Sequence, residues 1–235
     1  MALKSAIGAA MAIALGLAAL PAGQASAAGP ACPPVQAQIR VTTMDPEPVL
    51  NTALGIDALH AESGRPRSAA VHHLALTSSR IEWHGEIDAR TVTGRGGVCA
   101  RPERVVLSLV RTEHLIRIAR ELRRGSCLFR EAEAHERRHV EVNRRILRAA
   151  VARTRRAAER WAATAEGRGA TEQEALAALQ RGLRRAIEPA IAEMQRAQNA
   201  AHRAIDTEAE YRRLARVCPA DQRALRERLR GISAD

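Results

Sequence analysis

Two histidines and a glutamate offer the most specific chemistry in this chain. They lie in the run Glu133-Ala134-His135-Glu136-Arg137-Arg138-His139-Val140-Glu141. Residues four apart on a helix share a face, so His135 and His139 project together and can hold one metal ion. Zinc accepts two imidazoles, and a third protein donor with a water completes a tetrahedral catalytic site. Glu136 then stands where a catalytic base is needed. It takes a proton from the water that the metal acidifies and passes it to a leaving amine. The expected cofactor is therefore Zn2+, and the expected activity is that of a metallopeptidase-like hydrolase acting on a peptide or protein substrate.

The third donor must come from elsewhere in the chain. His202 is the only histidine after the motif and is taken as the third ligand. Asp206 lies one turn further along and shares its face, so one of the two could bind the metal while the other orients it. Glu208 and Glu210 are the remaining alternatives, and Tyr211 either donates to an oxyanion or packs. Glu141, two residues past His139, points away. His60, His84 and His114 lack partner spacing. His72 and His73 are adjacent in an expected strand and so face opposite sides. All five are assigned structural or surface roles. Gly94 to Gly97 lacks the lysine and following helix of a phosphate loop, and no Gly-x-Ser-x-Gly or Cys-x-x-Cys spacing occurs.

The elements that must position these groups are of two kinds. Up to Ala119 the texture is that of strands: Gln38 to Thr42, Ala69 to Thr77, Arg80 to His84, Glu86 to Val92 and Arg104 to Val110, with Glu113 to Ala119 as an edge strand. Gly85 and the glycines at 94–97 punctuate them, and Met44-Asp45-Pro46-Glu47-Pro48 is a breaker. From Leu128 to about Ala165 there is no Gly or Pro, and Ala, Glu, Arg and Leu dominate, which predicts one long helix. On it His135, His139, Val142, Ile146 and Ala149 form an inward stripe opposite the arginines. Residues 166–170 predict a turn, and Thr171 with Glu174 a capping box that opens a second helix. Pro189 is expected to break that helix and start a third running to about Val217; Pro219 and Asp221 open a terminal helix. The expected fold class is α+β, a small, mostly antiparallel sheet followed by a helical half that carries the motif.

The ends and the composition place the chain. Lys4, the apolar run from Ala6 to Leu20, Pro21 and Ala25-Ser26-Ala27 form the pattern of a secretory signal over residues 1–28. The apolar run is shorter than the roughly 20 residues of a membrane span, so no transmembrane segment is expected after cleavage and the location is periplasmic or extracellular. An N-terminal extension over 29–67, a catalytic domain over 68–218 and a C-terminal helix or tail over 219–235 follow. Four cysteines in an oxidising compartment predict two disulfides, with Cys32–Cys99 and Cys127–Cys218 favoured because the second pair staples the ends of the helical half. The net charge is +11, and every basic residue except Lys4 is arginine. That favours acidic surface partners. Arginines interleaved with glutamates, with only four aromatics (Phe129, Trp83, Trp161 and Tyr211), speak against specific nucleic-acid binding. The competing reading is a non-catalytic basic protein of the cell envelope that can still bind metal.

The motif, the strands before it, Gly125-Ser126-Cys127 and the helical tail together resemble a bacterial family of uncharacterised secreted proteins regarded as zinc-dependent proteases. The resemblance covers about residues 70 to 218, and only His135-Glu136-x-x-His139 is specific within it. It implies a zincin-like fold, with His135 and His139 as ligands, Glu136 as base, and a third ligand about sixty residues later near a Tyr-Asp and a His. This chain has His202-Arg203-Ala204-Ile205-Asp206-Thr207-Glu208-Ala209-Glu210-Tyr211 there.

Overall fold

The computed structural model describes residues 29–64 and 74–232. The expected leader at 1–28 and the pair His72 and His73 lie outside the described residues. The order is β1 (Gln38–Met44), β2 (Val49–Asn51), α1 (Ile56–Ser63), β3 (Ala75–Gly94), β4 (Gly97–Ile118), α2 (Cys127–Thr164), β5 (Gly167–Gly169), α3 (Glu172–Ile205), α4 (Glu208–Arg216) and α5 (Pro219–Ile232).

The expected small, mostly antiparallel sheet is corrected. Five strands form one mixed sheet in which the path β1-β4-β2 is parallel throughout; β3 and β5 add to β4 antiparallel. With the five helices found among the described residues this is a mixed α/β arrangement. The error has a physical source. Turn residues mark only the hairpin between β3 and β4, where Gly94 pairs with Gly97 and Gly96 takes a φ of 89°. The parallel contacts join Gln38 to Arg104 and Val49 to Leu115, and nothing local in the sequence sets their direction.

The short runs expected between residues 75 and 118 merge into two long strands. Gly85 does not interrupt β3. A Cβ there would lie 3.1 Å from a Leu107 methyl and 3.2 Å from the Trp83 ring, so glycine makes room for the core. The segment 113–118 is not an edge but the C-terminal part of the central strand, between β2 and β3. Alternation along β4 changes phase because Thr112 is an extra residue: Arg80 pairs with Glu113 and Ile81 with Arg111. Val105, Leu107, Leu109 and Arg111 are buried before the bulge, and His114, Ile116 and Ile118 after it.

Ser126 caps α2 by accepting from the Phe129 N–H at 3.3 Å, and 38 residues follow without a break. Its buried stripe is Ala132, His135, Glu136, His139, Val140, Asn143, Ile146, Leu147 and Ala150; Ala149, expected inside, is exposed. A tight return through β5 sends α3 back antiparallel. The capping box forms as expected, with Thr171 accepting from the Glu174 N–H and the Glu174 carboxylate from the Thr171 N–H. Pro189 does not end the helix: α3 runs through it to Ile205. Interior proline costs about 3 kcal/mol. Here it sits on the exposed face, and Leu183, Ile187, Ala190 and Met194 continue the buried stripe across it.

The return itself requires glycine. A Cβ on Gly167 would lie 2.1 Å from the Ala175 carbonyl oxygen, which is backbone and cannot step aside. Gly167→Ala is expected to cost about 2 kcal/mol or more, lowering the thermal midpoint by roughly 4–8 °C for a chain of this size. An unchanged midpoint would show that the close approach is dispensable.

Both favoured disulfides are present, Cys32–Cys99 and Cys127–Cys218, with Cα separations of 5.2 and 5.7 Å. The second joins the first residue of α2 to the junction of α4 and α5. Beside it Asp221 accepts from the Leu128 N–H at 2.9 Å, so α5 is anchored twice at the start of the motif helix. Disulfides fit an oxidising compartment. Among the described residues no helix is long and apolar enough to cross a membrane.

Candidate metal centre

The α2–α3 hairpin places residues 139 and 143 opposite residue 202. Because α3 ends at Ile205, the chain then turns at Asp206 across the imidazoles. Thr207 caps α4 by accepting from the Glu210 N–H at 3.2 Å, and α4 leads away toward the disulfide at Cys218.

Three donor atoms meet. His135 Nε2 and His139 Nε2 are 3.2 Å apart, and Asp206 Oδ1 is 3.1 Å from the first and 3.0 Å from the second. A tetrahedral zinc with bonds of ~2.0–2.1 Å holds its donors ~3.3 Å apart, so this triangle is close to the size a small divalent cation requires. The donor set, two imidazoles and a carboxylate, is also one that such ions take. The residues present therefore fit a metal.

The atoms behind the triangle fit as well. His202 does not turn a nitrogen to the triangle. Its Nδ1 lies 2.6 Å from His139 Nδ1, and its Nε2 lies 2.9 Å from Asn143 Oδ1. An amide oxygen only accepts, so His202 Nε2 carries a proton and donates. In the neutral ring Nδ1 must then accept, and the proton between the two histidines belongs to His139 Nδ1. This leaves the lone pair of His139 Nε2 directed at the triangle. Burial holds the His202 pKa below its ordinary value and the neighbouring His139 adds to this, which favours the neutral ring.

Behind His135 stands Glu210. Its Oε1 is 3.3 Å from His135 Nδ1 and is also paired with Arg138, while Arg213 holds the same carboxylate at 3.0 Å and reaches Glu131 on α2 at 2.8 Å. The Arg213 hydrogen bond foremost, joined by those of Arg138 and His135, pushes the Glu210 pKa down to about 2 despite the opposing effect of burial. Arg138 Nη2 also lies 2.8 Å from His135 Nδ1. Donation from Arg138 and donation by His135 to Glu210 are alternatives, since Nδ1 either accepts or carries the proton. The second leaves Nε2 of His135, like that of His139, as a lone pair for a metal. Burial works against a charged His135, but Asp206, Glu136 and Glu210 outweigh it and raise its pKa.

Glu136 is 5 % exposed and lines the same cavity. Desolvation raises its pKa, opposed by the neighbouring His139 and by the Thr77 hydroxyl, whose single proton is shared with the Glu136 backbone carbonyl at 3.2 Å. A buried carboxylate whose affinity for protons is raised suits proton transfer.

Of the positions singled out in the sequence, the fold thus brings together His135, Glu136, His139, His202, Asp206 and Glu210. It leaves Glu208 on the surface, paired with Arg212, and Glu141 exposed. Tyr211 lines the cavity. Sequence reasoning missed Asn143, Thr77 and Arg213. Asn143 did carry a signal, as a polar residue one further turn along the stripe of His135 and His139. No family model matches the chain, and neither a curated protein nor a solved structure matches it.

Proposed function

We propose that the protein is a zinc-dependent hydrolase acting on peptides or proteins outside the cytoplasm, in keeping with the resemblance noted from the motif. The observation that carries this is the convergence of His135 Nε2, His139 Nε2 and Asp206 Oδ1 within 3.0–3.2 Å of one another, with Glu136 buried beside them. His135, His139 and Asp206 would hold the metal. When bound, zinc supplies a Lewis acid that polarises a carbonyl and acidifies a water.

The chain's own groups do the rest. His202 and Asn143 orient His139, and Glu210, gripped by Arg138 and Arg213, orients His135. Glu136 takes the proton from the attacking water and delivers it to the leaving nitrogen. A carboxylate one residue along from the first ligand and turned into the same cavity favours hydrolysis over the oxidative chemistry that a two-histidine, one-carboxylate set also serves with iron.

Metal analysis of the purified protein after zinc loading tests this directly. About one zinc per chain is expected, lost in His135→Ala. Absence of a stoichiometric metal overturns the reading. Iron retained in preference to zinc redirects it, and zinc with no cleavage of any peptide substrate leaves the non-catalytic envelope protein.

A further inference from the structure

The cavity at the metal centre, ≈ 240 Å³, has two ends of different chemistry. Its acidic residues, Glu136 and Asp206, and its histidines lie at the metal end. The apolar end is walled by Leu74 just before β3, Leu76 within it, Ala132 on α2, Leu214 and Ala215 on α4, and Leu225 on α5; Ser63, Tyr211 and Gln222 add uncharged polar groups to the lining, and no arginine among the described residues lines it. We infer that this end is the subsite for an uncharged aliphatic or aromatic side chain of a peptide, adjacent to the bond that the metal end cuts. The inference rests on the hydrolase reading of the same centre.

Three observations support it. Ala132 stands three and four residues before His135 and Glu136, on the same buried stripe, so the apolar wall begins within one helical turn of the reacting groups. Its methyl is small enough to leave the space open. Next, α4 buries none of its residues, so Leu214 and Ala215 turn incompletely covered apolar surface to the cavity. An apolar side chain would cover that surface favourably. Finally, among the described residues the carboxylates that line the cavity, Glu136 and Asp206, belong to the metal end, so a charged side chain laid against the apolar wall would lose its water without a partner there, which is costly. The wall is fixed in shape because the Cys127–Cys218 disulfide and the Asp221 bond to Leu128 tie α4 and α5 to α2.

The test uses zinc-loaded protein and three peptide hydroxamates that differ only in a glycine, leucine or lysine side chain. The leucine compound is expected to bind about tenfold or more tightly than either of the others. Ala215→Trp, at an exposed position that tolerates size, should shrink that preference to about threefold or less without changing zinc content. Leu214→Ala is a second probe of the same wall and should weaken the leucine compound selectively. Equal affinity for glycine and leucine compounds, or lysine bound as well as leucine, overturns this inference and leaves the hydrolase reading standing. Failure to hold zinc overturns the hydrolase reading and this inference with it.

Discussion

Glu136→Gln is expected to retain a full complement of zinc and to lose peptide hydrolysis by about a thousandfold or more. Glutamine keeps the shape of the side chain and can still meet the Thr77 hydroxyl, but it has no lone pair basic enough to take a proton from water. His135, His139 and Asp206 are untouched, so metal content should not change. Initial rates and zinc content measured on the same preparation separate the outcomes. Full activity would remove Glu136 from the role of base, and joint loss of metal and activity would make it a ligand instead. A stability effect accompanies this. Burial raises the Glu136 pKa in the fold, so the folded protein binds this proton more tightly than the unfolded chain. Its contribution is full below the unfolded pKa and declines as pH rises through the folded one. With metal removed by a chelator, the glutamine variant should therefore gain on the parent as pH increases, as judged from denaturant midpoints.

Features set by short stretches of chain were legible in the sequence. Cys127 to Thr164 contains no Gly or Pro and became one helix, and Thr171 with Glu174 formed its box. The spacing of His135 and His139 put both rings in one cavity. Features set by distant contacts were not. The extra residue Thr112 breaks the alternation of β4, so one strand looked like two, and the parallel partners of β4 lie more than sixty residues before it. Pro189 looked like a terminus because the stripe Leu183, Ile187, Ala190 and Met194 only outweighs it once α3 is packed on α2. The third donor was ambiguous for the same reason. His202 and Asp206 are one turn apart on paper, and only the α2–α3 register, with the turn at Asp206, decides which of them meets the triangle.

That ambiguity yields an ordering that metal affinity can read without any turnover. Asp206→Ala removes one of three donors and is expected to weaken zinc by about a thousandfold, beyond the range of an orienting residue. His202→Ala removes only the acceptor of the His139 Nδ1 proton, and with it the fixed ring orientation. It should weaken zinc by about ten- to a hundredfold. Asn143→Leu acts one step further back, freeing the His202 proton from the amide oxygen that it meets at 2.9 Å, and its effect should be no larger than that of His202→Ala. Competition against a chelator of known affinity gives all three constants. Were His202 the ligand and Asp206 the bystander, the first two would exchange places, because the larger loss follows whichever atom touches the ion. The geometry favours the first order: Asp206 Oδ1 lies 3.0–3.1 Å from both Nε2 atoms, whereas each His202 nitrogen meets a partner elsewhere, Nδ1 on His139 and Nε2 on Asn143.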